Sequence, residues 1–255
     1  GVQNNPRFYG IWKIRSIQWL RSNIDCIVAC SQGVRKGLVK VHPSFSDTQV
    51  IPNSVDLQFI REKAQEPLDH PWMDDPNPIL VAVGRLVEQK GFHHLLPAIN
   101  QLRARIPARL WVLGKGLLKP ALEKQAEELE ISDSVQFLGF QPNPFKYMAK
   151  SDIFVLSSLW EGLPSVLVEA MGLGLPVVST RAPYGPQDVI QDGANGYLVP
   201  VADPEAMANS IEYLLHNPDE RIRIQEAGKS WVEENFSASH MSRQFEEMFG
   251  DVLKG

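Results

Sequence analysis

Seven continuous apolar runs punctuate the chain: DCIVACS (25–31), PILVAVG (78–84), ARLWVLG (108–114), SVQFLG (134–139), DIFVLSS (152–158), LPVVST (175–180) and GYLVP (196–200). None alternates polar with apolar residues, which predicts strands buried on both faces, as in a parallel sheet. Helical spacing fills the intervals, for example HHLLPAINQLRAR (93–105) and LKPALEKQAEELE (118–130). Strand then helix, repeated with short connections, predicts an α/β fold with a Rossmann-like, doubly wound parallel sheet. TQVIPNSVD (48–56) reads as a further strand leading into a turn, and HPWMDDPNP (70–78), with three prolines, as a surface connection with few core residues. NFSASHMSRQFEEMFGDVL (235–253) reads as a helix with no strand after it. The expected organisation is an opening segment over 1–52, a main domain over 53–236 and a C-terminal helix over 237–255.

Composition narrows the class. At 255 residues, 44% hydrophobic and 22% charged, the chain suits one large domain or two small ones. A net charge of −5 argues against a nucleic-acid binder, which carries a basic excess. Cys26 and Cys30 make neither a disulfide framework nor a repeated CxxC zinc pattern, and read as core residues. No apolar run reaches the ~20 residues of a membrane span and no signal peptide opens the chain, so a cytoplasmic setting is expected. Residues 1–24 carry Arg7, Lys13, Arg15 and Arg21 with Phe8, Tyr9, Trp12 and Trp19. They read either as a basic, aromatic helix on a membrane surface or as an ordinary helix packed on sequence outside the chain.

Ligands of open α/β sheets bind at the carboxyl ends of the strands, so the residues just after each run are the candidates. Gly84 closes the second run, and Arg85 and Lys90 follow it, five residues apart, before Gly91. Two cations in a strand-to-helix loop suit a diphosphate, and read equally well as solvated surface charges. Gly114 and Gly116 give half of a dinucleotide fingerprint, which a tight turn explains equally. Because a full GxGxxG follows no strand, a NAD-dependent oxidoreductase is disfavoured. Gly139 closes the fourth run, after which backbone edges and Phe140 offer a surface for a flat base.

The stretch WEGLPSVLVEAMGLGLPVVST (160–180) holds two glutamates, Glu161 and Glu169, around an apolar run. Pro164 suits the first helical position, where its missing N–H costs nothing. The Ser165 and Val166 amides would then be free donors at a helix N-terminus, a natural anion site. Glu169 falls about five residues, or ~7 Å, along that helix. Its apolar surroundings demand a partner for its carboxylate. Two carboxylates flanking a phosphate are placed to accept hydrogen bonds from sugar hydroxyls; they also read as helix-surface charges.

Taken together, GRLVEQKGF, EGLPSVLVEAMGLGLPVVST and DGANGYLVP resemble the donor-binding, C-terminal half of retaining GT-B glycosyltransferases, specifically glycosyltransferase family 4 (group 1). The resemblance runs from about residue 50 to residue 236. CIVACSQGVRKGL and VIPNSVD look like the end of the acceptor domain and the crossover. The resemblance implies that Arg85 and Lys90 neutralise the donor diphosphate, that Glu169 holds the nucleotide ribose, and that Glu161 holds the donor-sugar hydroxyls. It places Gly162, Leu163 and Pro164 against the sugar and the Ser165 and Val166 amides on the phosphate. Gly84, Gly139 and Phe140 complete the expected donor-binding set.

The implied chemistry is transfer of a sugar from a nucleotide diphosphate, UDP preferred, with retention of configuration, Arg85, Lys90 and Glu161 being catalytic. Stabilised charge on the departing diphosphate lowers the barrier, with no metal and no cofactor. The expected partners are a nucleotide-sugar donor, a glycan or lipid-linked acceptor and an acceptor domain preceding residue 1, with no nucleic acid. The expected place is the cytoplasm, with a peripheral contact at the inner face of the membrane. The competing expectation is a nucleotide-sugar-binding module that transfers nothing alone. Two positions depart from the family pattern: Lys115 stands where an acidic residue is usual, and Ser54 where glycine is usual. His93 and His94 read as structural.

Overall fold

The computed structural model describes residues 24–253. The basic, aromatic stretch from Arg7 to Arg21 lies outside the described residues. The first described unit is small. Strands β1 (Val28–Ala29) and β2 (Gln49–Val50) pair in parallel, with helix α1 (Gln32–Val41) between them. The Ser31 hydroxyl caps α1 by accepting from the Val34 amide at 3.1 Å. Ala29, Cys30, Val34, Leu38 and Phe45 form its apolar centre. Cys30 is a core residue as expected, whereas Cys26 is only half-buried.

Helix α2 (Leu57–Ala64), N-capped by Asp56, leads into the main unit. There β3 (Ile79–Val83), β4 (Arg109–Leu113), β5 (Val135–Gly139), β6 (Ile153–Leu156), β7 (Val177–Thr180) and β8 (Tyr197–Val199) form one sheet. Every pairing is parallel and the order is β5-β4-β3-β6-β7-β8. The chain therefore winds outward from β3 to β5, then returns to the middle and winds the other way. The direction reverses between β3 and β6, where Leu80 pairs with Ile153. That switch point opens a crevice at the carboxyl ends of the strands.

Helices cover both faces. On one side Leu80, Ala82, Leu110 and Val112 pack against α3 (Phe92–Arg103), α4 (Lys119–Glu128) and α8 (Pro204–His216) through Leu95, Ile99, Leu122 and Ile211. On the other, Ile79, Val81, Trp111 and Phe154 meet α5 (Phe145–Met148) and α6 (Ser165–Gly172) through Met148, Leu167 and Met171. Alternate residues of β3 and β4 thus face opposite cores, which is why their sequences do not alternate. Each such Leu or Ile contributes about 1.5–3 kcal/mol through burial. Pro97 lies inside α3 and has no amide to give the His93 carbonyl; the Gln125 side chain donates to that carbonyl instead, at 2.9 Å. Helices α7 (Pro186–Val189), α9 (Pro218–Asn235) and α10 (Ala238–Val252) complete the chain.

Three expectations need correction. SVQFLG is not buried on both faces: β5 is the edge strand, and most of its residues keep partial contact with solvent. HPWMDDPNP is not a bare surface connection. Its 3₁₀ turn (Pro71–Asp74) sets Trp72 against Trp111, ring centroids 5.9 Å apart, with the Arg109 guanidinium 5.4 Å from the Trp72 ring. The tail breaks at Phe236 and Ser237, because the Phe236 carbonyl accepts the Val55 amide at 2.9 Å and Ser237 then caps α10. That contact ties the start of the main unit to its end.

Candidate functional site at the switch point

The loops after β3 and β6 are sewn together at the crevice. After β3 the chain makes a 3₁₀ turn (Glu88–Lys90) and then a left-handed residue, Gly91, with φ +61°. A Cβ on Gly91 would stand 2.1 Å from the Ser157 carbonyl oxygen, so only glycine fits. The Ser157 hydroxyl donates to the Lys90 carbonyl at 2.8 Å, the Leu159 amide to the Gln89 carbonyl at 2.8 Å, and the Gln89 side chain to the Trp160 carbonyl at 3.0 Å. The result places Lys90 Nζ 2.5 Å from Glu161 Oε1.

Glu161 is 5% exposed. Besides Lys90, its carboxylate accepts from the Ser158 hydroxyl at 2.6 Å, and the Ser158 carbonyl in turn accepts from Thr180 at 2.5 Å. A carboxylate this deep needs such partners, since its charge has left water. Arg85 is exposed and donates to Gln89 at 3.2 Å. Arg85, Lys90 and Glu161 therefore sit around one loop pair. The sequence did not reveal that the lysine is committed to Glu161.

Glu169 differs. It is half-buried on α6, and burial alone pushes its carboxyl above the ordinary carboxylate range. No hydrogen bond or ion pair reaches it among the described residues. Pro164 is the N-cap of α6 and not its first helical residue, one position earlier than expected. Its extended backbone leaves Ser165 and Val166 as the first two helical residues, and their amides have no partner among the described residues. The Gly162 carbonyl accepts from the Ser31 hydroxyl at 3.0 Å and the Gly185 amide at 2.9 Å. Leu163 faces a cavity of about 340 Å³, shared with Cys30, Asp188, Trp231 and His240. Tyr184, in the left-handed region at φ +74°, stacks its backbone against Gly33.

A cavity of about 330 Å³ opens at the ends of β3, β4 and β5, lined in part by Gly84, Arg85, Gly114 and Phe140. Gly114 shapes it: with φ +142° its Cβ would lie 1.9 Å from the Gly84 carbonyl oxygen. Gly139 is left-handed at φ +69° and accepts the Gly114 amide at 2.7 Å. Phe140 is 65% exposed at the rim.

Ser158, Gln89, Thr180 and Ser31 escaped the sequence reading. Only Ser158 had a signal, since a buried Glu161 requires a donor nearby. The ring centroids of His93 and His94 lie 4.1 Å apart, and burial, with His93 beside it, holds the His94 imidazole below its ordinary value. Among the described residues no group of three or more His, Cys, Asp or Glu is placed to hold a metal ion, and no helix is long and apolar enough to cross a membrane.

A doubly wound parallel sheet with its crevice at the switch point places the chain among the open α/β folds, in which ligands gather at the carboxyl ends of the strands. The profile of the family "Glycosyl transferases group 1" matches residues 69–231. The chain is 35% identical over 248 residues to lipopolysaccharide core biosynthesis glycosyltransferase LpsE of Rhizobium meliloti (strain 1021), covering 91% of this chain and 68% of that protein. It is 32% identical over 208 residues to N-acetylgalactosamine-N,N'-diacetylbacillosaminyl-diphospho-undecaprenol 4-alpha-N-acetylgalactosaminyltransferase of Campylobacter jejuni, covering 81% of this chain and 54% of that one. Anabaena Alr3699/HepE, solved in complex with UDP and glucose, superposes with a TM-score of 0.85 at 22% identity, covering 96% of this chain and 69% of that chain. The chain belongs to the glycosyl transferases group 1 family. Its fold matches the GT-B glycosyltransferase structures, and it spans 68% of the LpsE length and 54% of the Campylobacter jejuni relative's.

Proposed function

We propose that this chain is the donor-binding half of a retaining glycosyltransferase of glycosyltransferase family 4, which moves a hexose from a UDP-sugar to a glycan or lipid-linked acceptor in polysaccharide biosynthesis. The observation that carries this reading is Glu169: a half-buried, desolvated carboxylate with no partner among the described residues, on the helix whose first two amides are also unpartnered among them. A carboxylate in that condition is completed by hydroxyl donors, and a ribose supplies two. Arg85 and the α6 amides face the diphosphate. Glu161 reaches the donor sugar, and Lys90 pairs with Glu161 and orients it beside the departing phosphate. Gly84, Gly139 and Phe140 border the base, and Gly162, Leu163 and Pro164 border the sugar.

The fixed cations and the helix end stabilise charge on the leaving diphosphate, so transfer proceeds without a metal or cofactor. Residues 1–52 belong to the end of an acceptor domain supplied by further sequence, with 53–236 as the donor domain and 237–255 packing back toward the acceptor side. The protein works at the cytoplasmic face of a membrane on an envelope glycan. A second reading, a nucleotide-sugar-binding module inactive by itself, is favoured by one observation: the chain spans between 49% and 57% of the length of three of its relatives.

A thermal-shift screen of UDP-, GDP- and ADP-sugars, with and without EDTA, tests the proposal. A ligand at 100 times its Kd stabilises the fold by about 2.7 kcal/mol. A shift with a UDP-sugar that survives EDTA is expected; no shift with any nucleotide sugar, or one that needs a divalent ion, contradicts it. Turnover on addition of the acceptor half separates the enzyme from the binding module.

A further inference from the structure

Ser31, the N-cap of α1, is 2% exposed and uses its hydroxyl twice. The oxygen accepts the Val34 amide at 3.1 Å, and the proton goes to the Gly162 carbonyl at 3.0 Å. That carbonyl also accepts the Gly185 amide at 2.9 Å, so both of its lone pairs are filled. Gly185 closes one side of the loop: a Cβ there would stand 2.4 Å from the Gly162 oxygen and 2.6 Å from Pro164. Ser31 is itself held in place by its neighbours. The Gly33 amide donates to Asp188 at 2.9 Å, and a Cβ on Gly33 would stand 2.4 Å from the Tyr184 Cα. The Gly162 peptide is thus gripped from two sides, by Gly185 of the main unit and by Ser31 of the small one.

Resting on the donor-site reading above, we infer that Ser31 is a positioning residue for the donor sugar: by fixing the Gly162 peptide it sets Glu161 and Leu163 against that sugar. Lys90 and Ser158 hold the Glu161 carboxylate from one end. The backbone at its other end is held through Gly162. Glycine has the widest backbone freedom, so with one of two donors gone the peptide turns more freely. The nucleotide contacts do not pass through this peptide. Arg85 follows β3, and α6 is anchored by its own buried Leu167, Val168 and Met171. Loss of the Ser31 hydroxyl therefore falls on the sugar and spares UDP.

Glycine caps a helix almost as well as serine but has no hydroxyl, so Ser31→Gly keeps α1 and removes the bridge, whereas Ser31→Thr keeps both. Calorimetric titration of the full chain with UDP, and with the UDP-sugar giving the largest shift in the thermal screen, tests the inference. Wild type, both Ser31 variants and Glu161→Gln are compared, each with its melting temperature. Ser31→Gly is expected to bind the UDP-sugar about three- to tenfold more weakly, the equivalent of one neutral hydrogen bond, and UDP within about twofold of wild type. Ser31→Thr restores the affinity for the UDP-sugar. Equal losses of UDP and UDP-sugar in Ser31→Gly, no loss of either, or a loss in Ser31→Thr as large as in Ser31→Gly overturns the role of Ser31. If Glu161→Gln separates the two ligands and Ser31→Gly does not, the donor-site reading stands and this inference alone falls. If wild type binds no UDP-sugar, both fall.

Discussion

Removing Lys90 tests how the crevice is held together. In Lys90→Met the apolar stem is kept and the ammonium lost, so among the described residues Glu161 retains only the Ser158 hydroxyl as a side-chain donor. The Lys90 and Glu161 side chains are 13% and 7% exposed, which places the pair among buried ion pairs and not the surface ones worth 0–1 kcal/mol. Removing one partner of a buried pair costs about 3–5 kcal/mol, because the other charge is left uncompensated. For a chain of this size about 2 °C accompanies each kcal/mol, so the melting temperature falls by roughly 6–10 °C. Urea denaturation of the ligand-free protein at pH 7 gives the free energy directly. Adding Glu161→Gln to Lys90→Met removes the stranded charge, and the double variant recovers about 1–3 kcal/mol relative to the sum of the single losses. A loss below about 1 kcal/mol in Lys90→Met, or strict additivity, refutes the reasoning.

Two further outcomes follow from particular residues. Burial raises the Glu169 carboxyl above its ordinary 4.5 in the folded state, so its contribution to stability is full below pH 4.5 and is lost as pH rises through the folded value. Glu169→Gln is therefore expected to flatten that part of the stability profile and to make the ligand-free protein more stable at pH 7; an unchanged slope in urea denaturation between pH 4.5 and 7 contradicts this. Gly114→Ala forces a side chain to φ +142° with its Cβ 1.9 Å from the Gly84 carbonyl, so about 2 kcal/mol or more of stability goes, together with nucleotide affinity; wild-type melting and binding in this variant contradict the packing described.

The sheet was legible in the sequence because strands covered on both faces leave uninterrupted apolar runs: six of the seven runs became strands of the main sheet, and the first became β1 of the small two-stranded sheet. The edge position of β5 was not legible, since sheet order depends on which strands meet in space and not on the residues of one run. The clamp of Trp72 on Trp111 escaped for the same reason: prolines mark a turn but not what the turn covers. At the site, the positions of Arg85, Lys90, Glu161 and Glu169 followed from the rule that ligands gather after strands. Their partners did not. The Lys90–Glu161 contact spans 71 residues and depends on the left-handed turn at Gly91, and the Ser31–Gly162 contact spans 131. The helix start at Pro164 was misplaced by one residue because proline suits both the N-cap and the first turn.

The central claim is that Glu161 and Glu169 face different parts of one nucleotide sugar, and calorimetric titration of Glu161→Gln and Glu169→Gln with UDP and with the UDP-sugar chosen by the screen tests it most directly. A charged hydrogen bond lost at either site costs about 1.5–3 kcal/mol, or about tenfold or more in affinity. Glu169→Gln is expected to weaken both ligands alike, while Glu161→Gln leaves UDP nearly unchanged and weakens the UDP-sugar. Equal losses for UDP and UDP-sugar in Glu161→Gln, or UDP binding untouched by Glu169→Gln, would contradict the claim.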